Sequence, residues 1–318
     1  LWFNDLNTKL NNFYALNDEL FNSDILITNP TKAMNDIKSV KSLILELNTL
    51  LNAKNPRIVD MINDQKIDEK YFSNLEKKIS LSYKFYEVID SFMGGNKDTN
   101  ILVLVQNTFN MNQSGGKWAY YLTLTCKKYV CMFSDIDFIS SLTSAMVDKL
   151  IPPEEIRTKK TIWTFEDLGW FFDFKDTANL ASTYYPTKDK FDGVVVLNIS
   201  IFEKLIKNMG SVDFNVSEDK IVVDGNNVVD FLIKLTQYKN NKDLADNTEK
   251  LSAFWSDFSK TFEKNYVSIN NIKYFISNIY DFIENKKIQL YMKTIKDLED
   301  LKYNNSLHKI DNSDFLAI

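Results

Sequence analysis

The residues of this chain best suited to phosphate or metal chemistry lie in its middle third. They are Asp135, Asp137, Asp167, Asp173 and Asp192, with Gly115-Gly116 and Lys117. Carboxylate oxygens are hard donors suited to Mg²⁺ or Ca²⁺. A lysine ammonium balances phosphate charge, and paired glycines let backbone approach an anion closely. Asn107, Asn110 and Asn112 precede the glycines, and Trp170 sits between two of the acids, so these complete a candidate ligand-binding set. Asp135, Asp167 and Asp173 are its candidate metal ligands. Each residue also has a plainer use. Asp caps helices and closes turns, as Asp192-Gly193 and Asp224-Gly225 can. A bare Gly-Gly pair lacks the spacing of a nucleotide loop and can be a turn or bulge at a strand entry.

The scarce residues close other routes. His308 is the single histidine and lies near the end of the chain, so Ser-His-Asp and Cys-His catalysis lack a positioned imidazole. A zinc site would need carboxylates. The net charge of −5 argues against a nucleic-acid partner. Two cysteines exclude a disulfide-dense scaffold. A hairpin turn at Lys127-Lys128 would set Cys126 opposite Tyr129 and Cys131 opposite Leu124, which predicts buried free thiols rather than a bond.

The elements that must position these residues follow from the eight glycines, all of which fall between Gly94 and Gly225. Glycine marks turns, bulges and left-handed caps. The glycine-free flanks therefore read as long helices and the middle as strands with short helices. Residues 1–93 carry apolar spacings of three and four, as in Leu6-Leu10-Phe13-Leu16-Leu20, with breaks at Asn29-Pro30 and Asn55-Pro56. They predict a helical hairpin or bundle, a stalk or docking element. Residues 94–243 predict an α/β core. Ile101–Val105 and Val194–Leu197 read as strands buried on both faces, Trp118–Thr125 and Tyr129–Phe133 as a hairpin, and 139–150, 200–209 and 227–237 as helices. Ile221–Val223 is a short strand. Residues 244–318 predict a helical segment with a short strand at Ile288–Met292 and a last one at Asp314–Ile318. The fold class is α/β: a central mixed sheet with flanking helices, plus helical N- and C-terminal segments. Trp163, Phe165, Trp170, Phe171, Phe172 and Phe174 form an aromatic run that serves either as core or as a sugar or lipid platform. No stretch is long and apolar enough for a membrane span, and the opening on Leu1 is read as the start of a trimmed piece.

Several of these segments together resemble a known family. Leu102–Asn107 followed by Ser114-Gly115-Gly116 resembles the "L-x-x-x-Q-N-x-x-E-x-R-P-T-G-G-F" motif of the bacterial domain-of-unknown-function family 4012. Ser134–Asp137 with Pro152-Pro153, Trp163–Phe174, Phe191–Val196 with Gly210-Ser211-Val212, and Lys287–Met292 resemble its later motifs, in order. The resemblance implies a secreted, membrane-anchored envelope protein, attached through an N-terminal anchor, with a core distantly similar to the LytR–CpsA–Psr phosphotransferases. Those enzymes attach polyprenyl-pyrophosphate-linked glycopolymers to the cell wall, using arginines to clamp pyrophosphate and acids to hold a divalent metal. The implied partners are envelope proteins or cell-wall glycopolymer.

The departures from the motif carry as much information. Asn110 replaces Glu, Asn112 replaces Arg, Gln113 replaces Pro, Lys117 replaces Phe, and Glu166 replaces the Arg before Asp167. Asn cannot reproduce the bidentate fork that Arg offers phosphate, which leaves Lys117 as the remaining cation near the motif. Two functions follow. One is a non-catalytic scaffold or binding module, which needs no cofactor and can belong to a surface assembly. The other is a phosphotransferase that needs Mg²⁺ beside the retained acids.

Overall fold

A computed structural model describes residues 2–22, 29–52, 55–64, 69–109, 115–146, 150–152, 154, 157, 161–171, 173–186, 191–266, 282 and 285–293. The chain forms two compact units. The first comprises residues 1–98 and the hairpin tip 126–130, and the second holds the remaining described residues.

The first unit is helical: α1 (Trp2–Asn22), α2 (Pro30–Leu51), α3 (Pro56–Asn63) and α4 (Glu69–Phe92). Proline at the first position of α2 loses no helical hydrogen bond, and the Asn29 side chain caps the helix by accepting from Lys32 N at 3.0 Å. The core takes Leu6, Phe13 and Leu20 from α1 and Ala33, Ile37, Val40, Ile44, Leu47 and Leu51 from α2. Steps of three and four put these on one stripe of each helix. Leu45 falls off the stripe and is exposed. Ion pairs Lys9–Glu46 and Lys32–Glu19 lie on the outer surface between the two helices.

One polar network interrupts this core. The buried Asp90 carboxylate accepts from Lys41 Nζ at 3.1 Å, Asn96 Nδ2 at 2.7 Å and the Tyr129 hydroxyl. Tyr129 belongs to the same apolar cluster as Leu6 and Ile37. Burial, and then the carboxylate beside it, push its phenol well above the usual tyrosine range.

In the second unit the main sheet runs β3-β2-β1-β5-β8, formed by β1 (Thr99–Asn107), β2 (Lys117–Lys127), β3 (Val130–Phe133), β5 (Gly193–Asn198) and β8 (Ile288–Met292). β4 (Asp137–Phe138) also pairs β2, antiparallel. β1 and β5 are parallel, with Leu102 opposite Val194 and Leu104 opposite Val196, while β8 runs antiparallel to β5. The sheet is therefore mixed. The unbroken β-branched runs of β1 and β5 are buried on both faces, as their sequences predict. Over one face lie α5 (Ile139–Ala145), a 3₁₀ helix (Phe165–Trp170) and α6 (Phe174–Tyr184), with Phe165, Phe174, Ala178 and Ala181 packed on Leu102, Leu104, Val194 and Val196. The rest of the unit contains α7 (Ile201–Met209), a two-stranded sheet of β6 (Val212–Val216) and β7 (Asp219–Val223), α8 (Val228–Leu235) and α9 (Asn241–Tyr266). Phe254 of α9 meets Phe214 edge-on, lies tilted against Phe231 and stacks on Phe258, and the Tyr120 hydroxyl donates to the Leu232 carbonyl.

Two expectations need correcting. The helix predicted over 139–150 stops at Ala145, and Leu150 instead bridges Trp163. The hairpin turn is one residue further on than predicted. Lys128 and Tyr129 take φ of 48° and 67°, the left-handed values of a two-residue type I′ turn. This register sets Ser134 opposite Thr123, whose carbonyl accepts from Ser134 N at 2.9 Å, and it makes Cys126 and Cys131 direct cross-strand neighbours. The two cysteines are disulfide-bonded, not free thiols. Moving the turn by one residue moves each cross-strand partner by two, so Cys131 keeps its face and passes from Leu124 to Cys126. The strand predicted at Asp314–Ile318 lies outside the described residues, as do most of 267–287. Among the described residues no helix is long and apolar enough to cross a membrane.

Candidate functional site

The site is built at the end of β1. Gln106 and Asn107 are buried there and hold the entry to β2. The Gln106 side-chain amide donates to the Gly116 carbonyl at 2.9 Å, and Asn107 Oδ1 accepts from Phe109 N at 3.0 Å. A Cβ on Gly116 would stand 2.5 Å from the Asn107 carbonyl oxygen, so only glycine fits this approach. The Gln-Asn and Gly-Gly halves of the motif therefore lock to each other. Gln106 was not among the candidates read from the sequence, although its place in the motif could have signalled the bond.

Lys117 follows the glycines at the start of β2. Its ammonium pairs with the Glu166 carboxylate, and both side chains are partly exposed. These are two of the motif departures, and together they form one neutral pair. The complementary signs of the two replacements were the signal that could have revealed it.

The acids have separate tasks. Asp167 Oδ2 accepts from Thr164 N at 2.8 Å and Thr164 Oγ1 at 2.6 Å, a capping box for the 3₁₀ helix. Asp173 is the N-cap of α6 and accepts from Lys175 N at 2.9 Å. Asp192 joins β5 to both neighbours: its Oδ2 accepts from Asn100 N at 3.0 Å, its N–H donates to the Asn100 carbonyl at 2.7 Å, and its carbonyl accepts from Lys293 N at 2.7 Å. Asp137 Oδ1 accepts from Phe138 N at 2.7 Å. Asp135 is exposed in the short connection between β3 and β4. Among the described residues no three His, Cys, Asp or Glu side chains gather as a metal site. The residues at hand do not fit a resident Mg²⁺ held by Asp135, Asp167 and Asp173. Asn110 and Asn112 lie outside the described residues.

The aromatic run is mostly core. Trp163, Phe165 and Phe174 are buried, whereas Trp170 and Phe171 are half-buried. Trp118, just after Lys117, packs its ring 5.9 Å from Phe165.

The family model described as "Protein of unknown function (DUF4012)" matches residues 96–238, a span that contains β1, the glycine pair, the Lys117–Glu166 pair and all five acids. The match covers less than half of the chain. Outside it lie the helices α1–α4, α9 and strand β8. No curated protein matches the sequence. Among solved structures, TagV of Bacillus subtilis is similar at 11% identity over 66% of this chain and 81% of its own, with a TM-score of 0.36. The B. subtilis transcriptional regulator yvhJ is similar at 13% identity over 58% of this chain and 76% of its own, with a TM-score of 0.30. Putative transcriptional factor Lmo1026 of Listeria monocytogenes is similar at 11% identity over 65% and 77%, with a TM-score of 0.31. These likenesses are slight, and the fold of the matched region stands on its own strand order and register.

Proposed function

We propose that this chain is an extracytoplasmic cell-envelope protein whose DUF4012 domain is a non-catalytic scaffold or binding module. The observation that carries this is the Lys117–Glu166 ion pair. A pyrophosphate site needs net positive charge that is free to meet the ligand. Here the one cation next to the glycines is already balanced by a carboxylate, at a position where the family motif has arginine. The acids support the same reading, because Asp167, Asp173 and Asp192 spend their oxygens on backbone and hydroxyl donors. The disulfide supports an oxidising compartment, where such bonds persist. The partners in this role are other envelope proteins or cell-wall glycopolymer, and membrane anchorage would keep the domain at the surface.

The test is thermal unfolding with and without Mg²⁺ plus geranyl pyrophosphate, a short polyprenyl pyrophosphate. A scaffold gives no shift in Tm. A ligand present at about 100 times its Kd stabilises by about 2.7 kcal/mol, so a clear Mg²⁺-dependent rise in Tm would favour the phosphotransferase instead.

A further inference from the structure

We propose that the Cys126–Cys131 disulfide is a redox-controlled clasp that keeps the hairpin tip plugged into the helical unit. The tip belongs to that unit, and its sequence does not favour its own shape. Type I′ turns prefer Asn-Gly or Gly-Gly because both central residues have positive φ. Here they are Lys128 and Tyr129, at φ of 48° and 67°. A left-handed conformation costs a side-chain-bearing residue roughly 1–2 kcal/mol, so something else must hold the turn.

Two sets of contacts meet at the tip. From the helical unit, the Met93 and Gly94 carbonyls accept from Tyr129 N and Lys128 N, each at 2.9 Å. Asp90 accepts from the Tyr129 hydroxyl. The pair Gly94-Gly95 makes room for this: a Cβ on Gly94 would collide with the Cys126 carbonyl, and one on Gly95 with the Asp90 carboxylate. From the hairpin side, the disulfide joins the residues two positions before and after the turn. It removes the open conformations that the unfavourable turn would otherwise sample.

Reduction by a dithiol delivers two electrons and two protons to the Cys126–Cys131 bond and yields two thiols, while the dithiol closes to its own disulfide. The turn then relaxes, and Tyr129 leaves Asp90. This device lies apart from the DUF4012 glycine pair and holds whether or not that domain binds a ligand.

The experiment is hydrogen exchange on the full chain, oxidised and after dithiothreitol, with thiol titration to confirm two free cysteines. The amides of Lys128 and Tyr129 should exchange faster on reduction by a factor on the order of 30, from the entropy of closing so short a loop. Trypsin should gain a cut at Lys128, while the Val103 amide in β1 stays protected. Unchanged exchange at Lys128 and Tyr129 would overturn the proposal, as would simultaneous loss of protection at Val103. The double variant Cys126→Ser/Cys131→Ser should match the reduced protein without any reductant; if it keeps the oxidised level of protection, the clasp is refuted. Tyr129→Phe should lower Tm more in the oxidised protein than in the reduced one, and an equal effect in both would also refute it.

Discussion

The two Gly-Gly pairs of this protein look alike in sequence and do similar work on very different neighbours. Gly94-Gly95 admits a hairpin tip and borders a buried carboxylate with an ammonium, an amide and a phenol around it. Gly115-Gly116 admits the end of β1 and borders neutral amide bonds, with its one ion pair at the surface. The pair outside the matched residues 96–238 therefore sits against buried charge, and the pair inside them against charge that water can screen. Family motifs draw the eye to the second. The buried charge lies at the first.

That contrast can be broken or sharpened by substitution. The largest effect should come from Asp90→Ala, which leaves the Lys41 ammonium and the Tyr129 hydroxyl without their acceptor. Loss of one partner of a buried pair costs about 3–5 kcal/mol, read as a lower urea midpoint. Gly94→Ala should follow at about 2 kcal/mol, since it adds a collision to a positive φ of 68°. Gly116→Ala should cost about as much, and a near-neutral result there would undo the close approach to Asn107.

A pH effect comes next. Burial raises the phenols of Tyr86, Tyr120 and Tyr129 above the ordinary value of 10.0. In the unfolded chain they ionise near that value, so above it the folded state binds more protons. Their contribution is fully present below pH 10 and is lost as pH rises beyond it. Urea midpoints at pH 9, 10 and 11 should fall in that order, and Tyr129→Phe should flatten the slope by about one proton. The smallest effect belongs to the surface pair. Lys117→Met or Glu166→Gln should change stability by about 1 kcal/mol or less, and less still in high salt.

Much of the fold was legible. β1 and β5 announced themselves because strands buried on both faces must be continuously apolar, and β8 because Ile-Gln-Leu-Tyr-Met alternates. β6 was missed, although Val212, Phe214 and Val216 alternate with Asp213 and Asn215 and their burial alternates with them; five residues after a helix cap pass easily for a loop. The hairpin was found and its turn misplaced. Lys127-Lys128 is the more polar pair, but polarity does not report φ, and burial of Tyr129 decided the register. That single residue hid the disulfide. At the candidate site, the capping use of Asp173 was readable from its place before a helix, and that of Asp167 from its place three residues after Thr164. The Lys117–Glu166 pair was signalled only by the complementary signs of the two replacements, because the partners are far apart in sequence and meet only when the 3₁₀ helix packs beside the start of β2.

The proposed scaffold role requires that residues 96–238 have no working pyrophosphate clamp. Calorimetric titration of the full chain with geranyl pyrophosphate, in Mg²⁺ and again in EDTA, tests it directly. The account predicts no saturable heat in either buffer. Saturable, Mg²⁺-dependent binding at about micromolar Kd, some −8 kcal/mol, would contradict it.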